Sequence, residues 1–511
     1  MKPIANSRLI LGPPGCGKTH TLIGLVREAL ARGVHPSRIG FVSFTTKAIR
    51  EALDRACAEF NLTPKSFPHF RTLHATGYHG LGLQREDVMG SKDYSVVGNM
   101  LGLDFKGLDR ALPEDGIAVP AIGGSGAKYL QGIMRARYRQ VTLATEFNDM
   151  ADHNLFYVKM RQVDEQLQKY KSAHQKVDFA DMIDQYIIRA EPPHLDLLIV
   201  DEAQDLTPLQ WAMIRRMAEF ANEVVIAGDD DQAIHRWTGV DVKLFLNCSQ
   251  NIEVLRQSYR LPRAVHAVAT KISRQIRQRL QKEFLPRDEE GSVQSIMRLE
   301  DAPLDRGSWT IMTRVNSYMW DFGDALERMG LYYKIKARAS VPEDLVQNID
   351  TWVRLCNGEA VEKALIEDLY KAVPKVGEGA AVVRGASKLL EAAAPDATLR
   401  LIDLQLDFGC LASEHTRPRE LLRVSDDMWR YIRALERRGE DLSQEPRIKV
   451  STFHAMKGGE DDNCIVYLGS TKACMESKHW DDELRALYVA VTRTKQNLYL
   501  LESDKKYRYT I

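Results

Sequence analysis

A short apolar run, Arg8-Leu-Ile-Leu11, leads directly into Gly12-Pro-Pro-Gly-Cys-Gly-Lys18-Thr19, and a helical pattern follows to about Ala31. Few folds accommodate a strand, a glycine-rich loop and a helix in that order; a parallel α/β sheet is the usual one. The glycines let backbone N–H groups face an anion, and the helix N-terminus adds favourable dipole charge. Lys18 is placed to reach β- and γ-phosphates, and the Thr19 hydroxyl suits a magnesium ion. Gly12, Pro13, Pro14, Gly15, Cys16, Gly17, Lys18, Thr19 and His20 are therefore expected to bind the phosphates of a nucleotide. A plain glycine-rich turn is the competing reading, and the strand–loop–helix setting argues against it.

A second apolar run, Leu197-Leu-Ile-Val, reads as a buried strand and ends on Asp201 and Glu202. One acid there suits a metal ion, and a second beside it suits a water that attacks phosphate. The pair points to hydrolysis of a nucleotide rather than to binding alone. A third strand, from Glu223, exits into Gly228-Asp-Asp-Asp-Gln232-Ala-Ile-His-Arg-Trp237-Thr-Gly239. A glutamine at a strand exit can bond both a γ-phosphate and an attacking water. Trp237 offers a flat face for a nucleic-acid base, although read alone it is equally a core side chain beside an acidic turn. Arg256-Gln-Ser-Tyr259-Arg260 and Leu487-Tyr-Val-Ala-Val-Thr-Arg493 each place an arginine near an element end. Such a guanidinium can stabilise charge on a transferring phosphoryl group; singly, each also reads as an ordinary surface salt bridge.

At 511 residues the chain is long enough for several domains. Its 70 basic and 70 acidic residues balance, which neither supports nor excludes a nucleic-acid partner. The seven cysteines are odd in number and lack metal-ligand spacing, so reduced thiols and an intracellular, cytoplasmic protein are expected. No signal peptide or long apolar span is evident, which argues against a membrane role.

Strand and helix patterns alternate through residues 1–79 and again through 176–250, the first α/β unit. Residues 80–175 break the pattern with a glycine cluster, Gly123-Gly124-Ser125-Gly126, and a long helix over Asn148–Tyr170; they read as a helical insertion. A second α/β unit is expected over 251–338 and 446–511, interrupted by a second mainly helical insertion over 339–445. The fold class is thus α/β, with two doubly wound parallel-sheet domains.

The order Gly12–Thr19, Ser43-Phe44-Thr45-Thr46-Lys47-Ala48, Thr72-Leu-His74, Asp178-Phe-Ala-Asp181, Asp201–Gln204, Gly228–Gly239, Gln257–Arg260, Ser451-Thr-Phe-His454-Ala-Met-Lys457-Gly458-Gly-Glu460 and Tyr488–Arg493 resembles UvrD/Rep-type superfamily 1 DNA helicases over nearly the whole chain. The resemblance implies two RecA-like domains with ATP and Mg²⁺ between them and single-stranded DNA across their tops. It implies that Lys18 and Thr19 serve phosphate and magnesium, that Asp201 holds the metal, and that Glu202 is the water-activating base. Gln232, Arg260 and Arg493 then meet the γ-phosphate, Tyr259 stacks on adenine, and Glu460, beside Gly458, holds the ribose. Phe44, Thr45 and Trp237 match DNA-contacting positions, as do Thr72, His74, Thr452 and His454. A lone histidine is otherwise more often structural. Stacking on aromatics is worth about 1–3 kcal/mol per base and tolerates any sequence, which suits a motor.

Three departures stand out. No glutamine precedes the first strand where the family reads adenine, Thr238 stands where an arginine is usual, and His235 replaces a tyrosine. The leading expectation is an ATP-dependent translocase and helicase moving 3′ to 5′ on single-stranded DNA and at single/double-strand junctions. It is expected to act as a monomer with replication or recombination proteins, and its compact form suits a phage or plasmid protein. A nucleotide-gated DNA-binding or protein-displacing ATPase without sustained unwinding is the alternative, and a P-loop small-molecule kinase is a third reading.

Overall fold

The computed structural model describes residues 2–105, 124–150, 152, 154–377 and 379–511. Gly123, part of the glycine cluster expected in the first insertion, lies outside the described residues. The chain divides into two compact units, Met1–Gly291 with Glu476–Thr492, and Ser292–Met475 with Arg493–Thr510.

The first unit is built on a parallel sheet of six strands: β1 (Ser7–Leu11), β2 (Ile39–Ser43), β3 (Phe70–Thr72), β4 (Leu195–Asp201), β5 (Ala221–Gly228) and β6 (Asn251–Val254), in the order β3-β2-β4-β5-β1-β6. Successive residues point to opposite faces of a strand. Leu9, Val42, Leu198, Val200 and Ile226 enter one core, while Ile10, Phe41, Leu197, Ile199 and Val225 enter another. Burial of both parities explains why these strands read as continuous apolar runs rather than alternating ones. β6 corrects the expectation that a new unit begins at Asn251. It pairs with β1, Arg8 opposite Asn251, and so forms an edge of the first sheet.

The register lines up the carboxyl ends. Leu11 lies opposite Gly228, Ser43 opposite Asp201, and Thr72 opposite Ser43. The loops leaving β1, β2, β3, β4 and β5 therefore emerge along one edge, where parallel α/β sheets bind ligands.

The inserted helices include Ser91–Leu101, Ala127–Arg139, Leu143–Met150 and Tyr157–His174. The single helix expected over Asn148–Tyr170 is thus two. Asp152 Oδ1 accepts from Asn154 N at 3.0 Å, a local bond that competes with the helical one. An ion network ties this region to the sheet unit. Arg137 bonds Asp178 (2.8 Å), Asp181 (2.6 Å) and Asp184 (2.9 Å), and Lys171 bonds Asp178 and Asp181 at 2.7 Å each.

The second unit carries β7 (Ser292–Ile296), β8 (Trp309–Thr313), β9 (Tyr333–Ile335), β10 (Arg338–Ala339), β13 (Ile448–Thr452), β14 (Asp461–Tyr467) and β15 (Thr494–Leu501), in the order β10-β9-β13-β8-β14-β15-β7. Only the short β10 runs antiparallel to its neighbour. Between β10 and β13 lie a two-stranded ribbon, β11 (Val361–Glu362) with β12 (Thr398–Leu399), and helices including Glu343–Cys356, Lys363–Ala372 and Asp426–Arg437. The fold is therefore α/β with two parallel-sheet, RecA-like layers and added helices, as the residue pattern predicts. Among the described residues no helix is long and apolar enough to cross a membrane.

Candidate nucleotide and nucleic-acid site

Gly12 N donates to Gly228 O at 2.9 Å, which anchors the glycine loop beside the end of β5. The loop then turns through Gly15 and Gly17, both left-handed at φ 73° and 77°, before the helix Lys18–Ala31 begins. A Cβ on Gly15 would overlap the Cβ of Arg260. Close approach, as well as backbone freedom, therefore demands glycine there. The Gln257–Arg260 segment is seated on this loop: Tyr259 N donates to Gly15 O at 2.8 Å, and Ser258 Oγ to Pro14 O at 2.7 Å. Tyr259 is 71% exposed, with its ring beside Gly17. Arg260 Nη1 reaches Thr492 O at 3.5 Å.

Lys18 Nζ lies 3.3 Å from Asp201 Oδ1 and bonds Glu202 Oε1. Burial alone would lower this ammonium's pKa; the carboxylates of Asp201 and Glu202 outweigh it and hold the group firmly charged. Burial also raises Asp201, against the pull of Lys18. Glu202 adopts φ 52°, uncommon for a residue with a side chain, and its other oxygen accepts from Gln204 Nε2 at 2.6 Å. Gln204 was quoted in the sequence only as part of a motif. The structure shows it as a bridge, because its Oε1 accepts from Asp229 N at 3.1 Å. Gln232 Nε2 in turn donates to Asp229 Oδ2 at 2.7 Å. Lys18, the acid pair and the strand-exit Gln232 thus share one hydrogen-bonded edge.

Among the described residues no group of three or more His, Cys, Asp and Glu side chains is placed to hold a metal. A Thr19 hydroxyl and an Asp201 carboxylate fit a small ion that keeps most of its waters and takes phosphate oxygens, which is how Mg²⁺ is usually held.

Cys16 differs from what a thiol at a helix start suggests. Burial pushes it up to about 11, and the attraction of Lys18 only partly offsets this. Iodoacetamide at neutral pH is expected to leave Cys16 unmodified with or without ATP. Rapid alkylation seen by peptide mass spectrometry, suppressed by ATP, would show a reactive thiolate instead.

The residues expected to face DNA separate into two groups. Trp237 is 48% exposed, which excludes the core reading. Thr45 caps the helix Thr46–Phe60 by accepting from Ala48 N at the same sheet edge. Phe44, however, is only 4% exposed and stacks on His235, with centroids 5.7 Å apart. His235 meets Trp237 edge-on at 6.4 Å. Phe44 therefore supports an aromatic run rather than presenting a free face, and His235, noted in the sequence only as a departure, is its middle member. His74 is also a correction. It is 4% exposed, bonded to Tyr138 Oη at 3.1 Å, and burial lowers its pKa to about 4. A neutral, enclosed imidazole makes no direct nucleic-acid contact. Thr72 is likewise buried and caps the helix Leu73–Gly80 through Ala75 N. Thr238, in the usual arginine position, is buried and donates to His235 O at 2.7 Å, closing the turn that carries Trp237.

In the second unit Thr452 ends β13 opposite Thr313, and its Oγ1 accepts from Ala455 N at 3.2 Å. His454 follows on the same loop, which then descends through Gly458 to Glu460 at the start of β14. Arg493 precedes β15. Its Nη1 donates to Gly459 O at 3.2 Å, and its own carbonyl accepts from Asp461 N at 3.0 Å. Glu460 and Arg493 thus lie together at the amino ends of neighbouring strands, whereas Thr452 and His454 lie at the carboxyl end of another.

Comparison with known proteins gives a consistent result. Residues 1–253 match the profile of the UvrD/REP helicase N-terminal domain. DNA helicase II of Escherichia coli (strain K12) is 27% identical over 217 residues, 38% of this chain and 30% of that protein. The putative ATP-dependent DNA helicase YjcD of Bacillus subtilis (strain 168) is 24% identical over 255 residues, 47% of this chain and 32% of the relative. ATP-dependent DNA helicase PcrA of Bacillus subtilis (strain 168) is 24% identical over 300 residues, 55% of this chain and 39% of the relative. The chain therefore matches only about a third of the length of these relatives. The matched N-terminal region, residues 1–253, and these likenesses support a UvrD/Rep-type superfamily 1 helicase.

Proposed function

We propose that this protein is an ATP-dependent single-stranded DNA translocase and DNA helicase that moves 3′ to 5′. The observation that carries the reading is the hydrogen-bonded edge running from Lys18 through Glu202 and Gln204 to Asp229 and Gln232. A phosphate-binding lysine, a carboxylate able to take a water's proton and an amide able to orient that water are joined in one network. A kinase has less use for the last two. Mg²⁺ held by Thr19 and Asp201 would neutralise phosphate charge. Arg260 and Arg493 are assigned to the γ-phosphate, Tyr259 to adenine and Glu460 to the ribose. Trp237, backed by His235 and Phe44, is assigned to base stacking, with Thr45, Thr452 and His454 contributing further DNA contacts. The relatives, which include ATP-dependent DNA helicases, support the same reading.

Two assays test it together. ATP hydrolysis should rise on addition of single-stranded DNA, and a duplex with a 3′ single-stranded tail should be unwound in preference to one with a 5′ tail. Stimulated hydrolysis with neither duplex unwound would favour a protein-displacing ATPase. The DNA assignment has its own variant. Trp237→Ala should weaken single-stranded DNA binding by about 1–3 kcal/mol, with little change in melting temperature, because half the side chain already lies in solvent. Unchanged anisotropy titrations would remove Trp237 from the DNA surface.

A further inference from the structure

Behind Gln232 lies a buried charge cluster that meets the edge described above through Asp229. Asp229, Asp230 and Asp231 leave β5 in succession, and all three are buried. One ammonium meets them all. Lys282, its side chain 0% exposed, stands 3.1 Å from Asp229 Oδ1, 2.6 Å from Asp230 Oδ1 and 2.8 Å from Asp231 Oδ2. Arg279 grips the Asp231 carboxylate through Nε at 2.9 Å and Nη2 at 2.6 Å. Leu280 N donates to Asp230 Oδ2 at 2.7 Å, and Arg485 Nε donates to Asp230 O at 2.9 Å.

Adjacent carboxylates removed from water repel one another strongly unless a cation is buried with them. A turn that only reversed the chain would leave its acids in solvent. Here the paired acids make a rigid platform, and its Asp229 member faces the reaction. Lys282 holds Asp229 Oδ1, while Oδ2 of the same carboxylate accepts from Gln232 Nε2 at 2.7 Å. An amide whose NH₂ end is held by a carboxylate keeps its carbonyl end fixed as an acceptor, the orientation suited to a water. Without the ammonium, Asp229 would be pushed away from Asp230 and Asp231, and Gln232 would lose its fixed partner.

We propose that Lys282 is a positioning residue for ATP hydrolysis, fixing the Asp229 carboxylate that orients Gln232. The proposal rests on the hydrolytic reading above. Lys282→Met, Lys282→Arg, Gln232→Ala and the Lys282→Met/Gln232→Ala double variant of the full chain are compared by DNA-stimulated kcat and KM for ATP, alongside thermal melting. Lys282→Met should lower kcat by about 10²-fold, as loss of alignment does, while KM moves little. Lys282→Arg, which keeps the charge, should recover most of the loss. In the Gln232→Ala background Lys282→Met should cost almost nothing further, because residues acting as one unit are not additive. An equal fall in both backgrounds, or unchanged kcat in Lys282→Met, overturns the proposal. Should Lys282→Met not fold, Lys282→Met/Asp230→Asn removes one acid with the cation while keeping Asp229, and the same comparison is made on it. If neither folds, Lys282 is a folding residue and the proposal is overturned. Absence of hydrolysis in the wild-type chain would instead sink the hydrolytic reading, and this proposal with it.

Discussion

Glu202→Gln is expected to bind ATP almost as the parent does while hydrolysing it about 10²–10⁴-fold more slowly, the range associated with loss of a general base. The substitution keeps the shape of the side chain and removes only its capacity to take a proton. The surroundings favour a clean result. Gln204 Nε2 donates to Glu202 Oε2 at 2.6 Å, and the carbonyl oxygen of the new amide can accept the same bond. Lys18 retains Asp201 at 3.3 Å. The left-handed backbone at φ 52° belongs to the turn out of β4 and is as accessible to glutamine as to glutamate. Single-turnover hydrolysis with a fluorescent-nucleotide titration separates the two effects. Near-parental turnover would assign the proton acceptor elsewhere.

Arg137→Ala should cost the first unit substantial stability. Its guanidinium serves Asp178, Asp181 and Asp184 together, and Asp178 is fully buried. Removing one partner of a buried ion pair costs about 3–5 kcal/mol, because the remaining charge is left uncompensated. Here Lys171 still pairs with Asp178 and Asp181, so the lower part of that range is expected. The pH dependence offers an independent check. Burial would raise the Asp178 carboxyl, but Arg137 and Lys171 overcome it and bring the folded value down to about 2, against an ordinary 3.8. A carboxyl depressed on folding contributes stability that is complete above its unfolded pKa and lost as pH falls through its folded pKa. The parent should therefore lose this contribution between about pH 4 and pH 2, and Arg137→Ala should lose it at higher pH. Chemical denaturation of both proteins across that window measures the difference; superimposable curves would mean that the Arg137 bonds add nothing to stability.

The legible part of this protein is local in sequence. Gly12–Thr19 needs only a preceding strand and a following helix to form the strand–loop–helix unit, and both are written in neighbouring residues. Leu197–Asp201 is apolar on both parities because both faces are buried, and its terminal acids must emerge at the strand end. Parallel strands then bring the motif-bearing loops to one edge, so these residues are legible as a set.

What escaped the sequence depends on pairing between distant segments. Asn251–Val254 looks like the start of a new unit, yet its hydrogen bonds go to β1, more than two hundred residues earlier. The family resemblance implies DNA contacts for Phe44, His74 and Thr72, but packing decides exposure, and His235 and Tyr138 cover the two rings. Cys16 sits at a helix start, where the dipole favours a thiolate; burial there outweighs it and raises the pKa. Lys282 carries no local mark at all, because a lysine in a polar stretch reads as solvated until the fold places it among three aspartates from the end of β5. The strand–glycine loop–helix unit, the acid pair at the end of β4 and the parallel sheets are legible locally, since each follows from the order of side chains along a few residues. Which aromatics are open, which thiol is buried and which cation meets Asp229, Asp230 and Asp231 follow from packing, because desolvation and charge pairing are properties of neighbours in space.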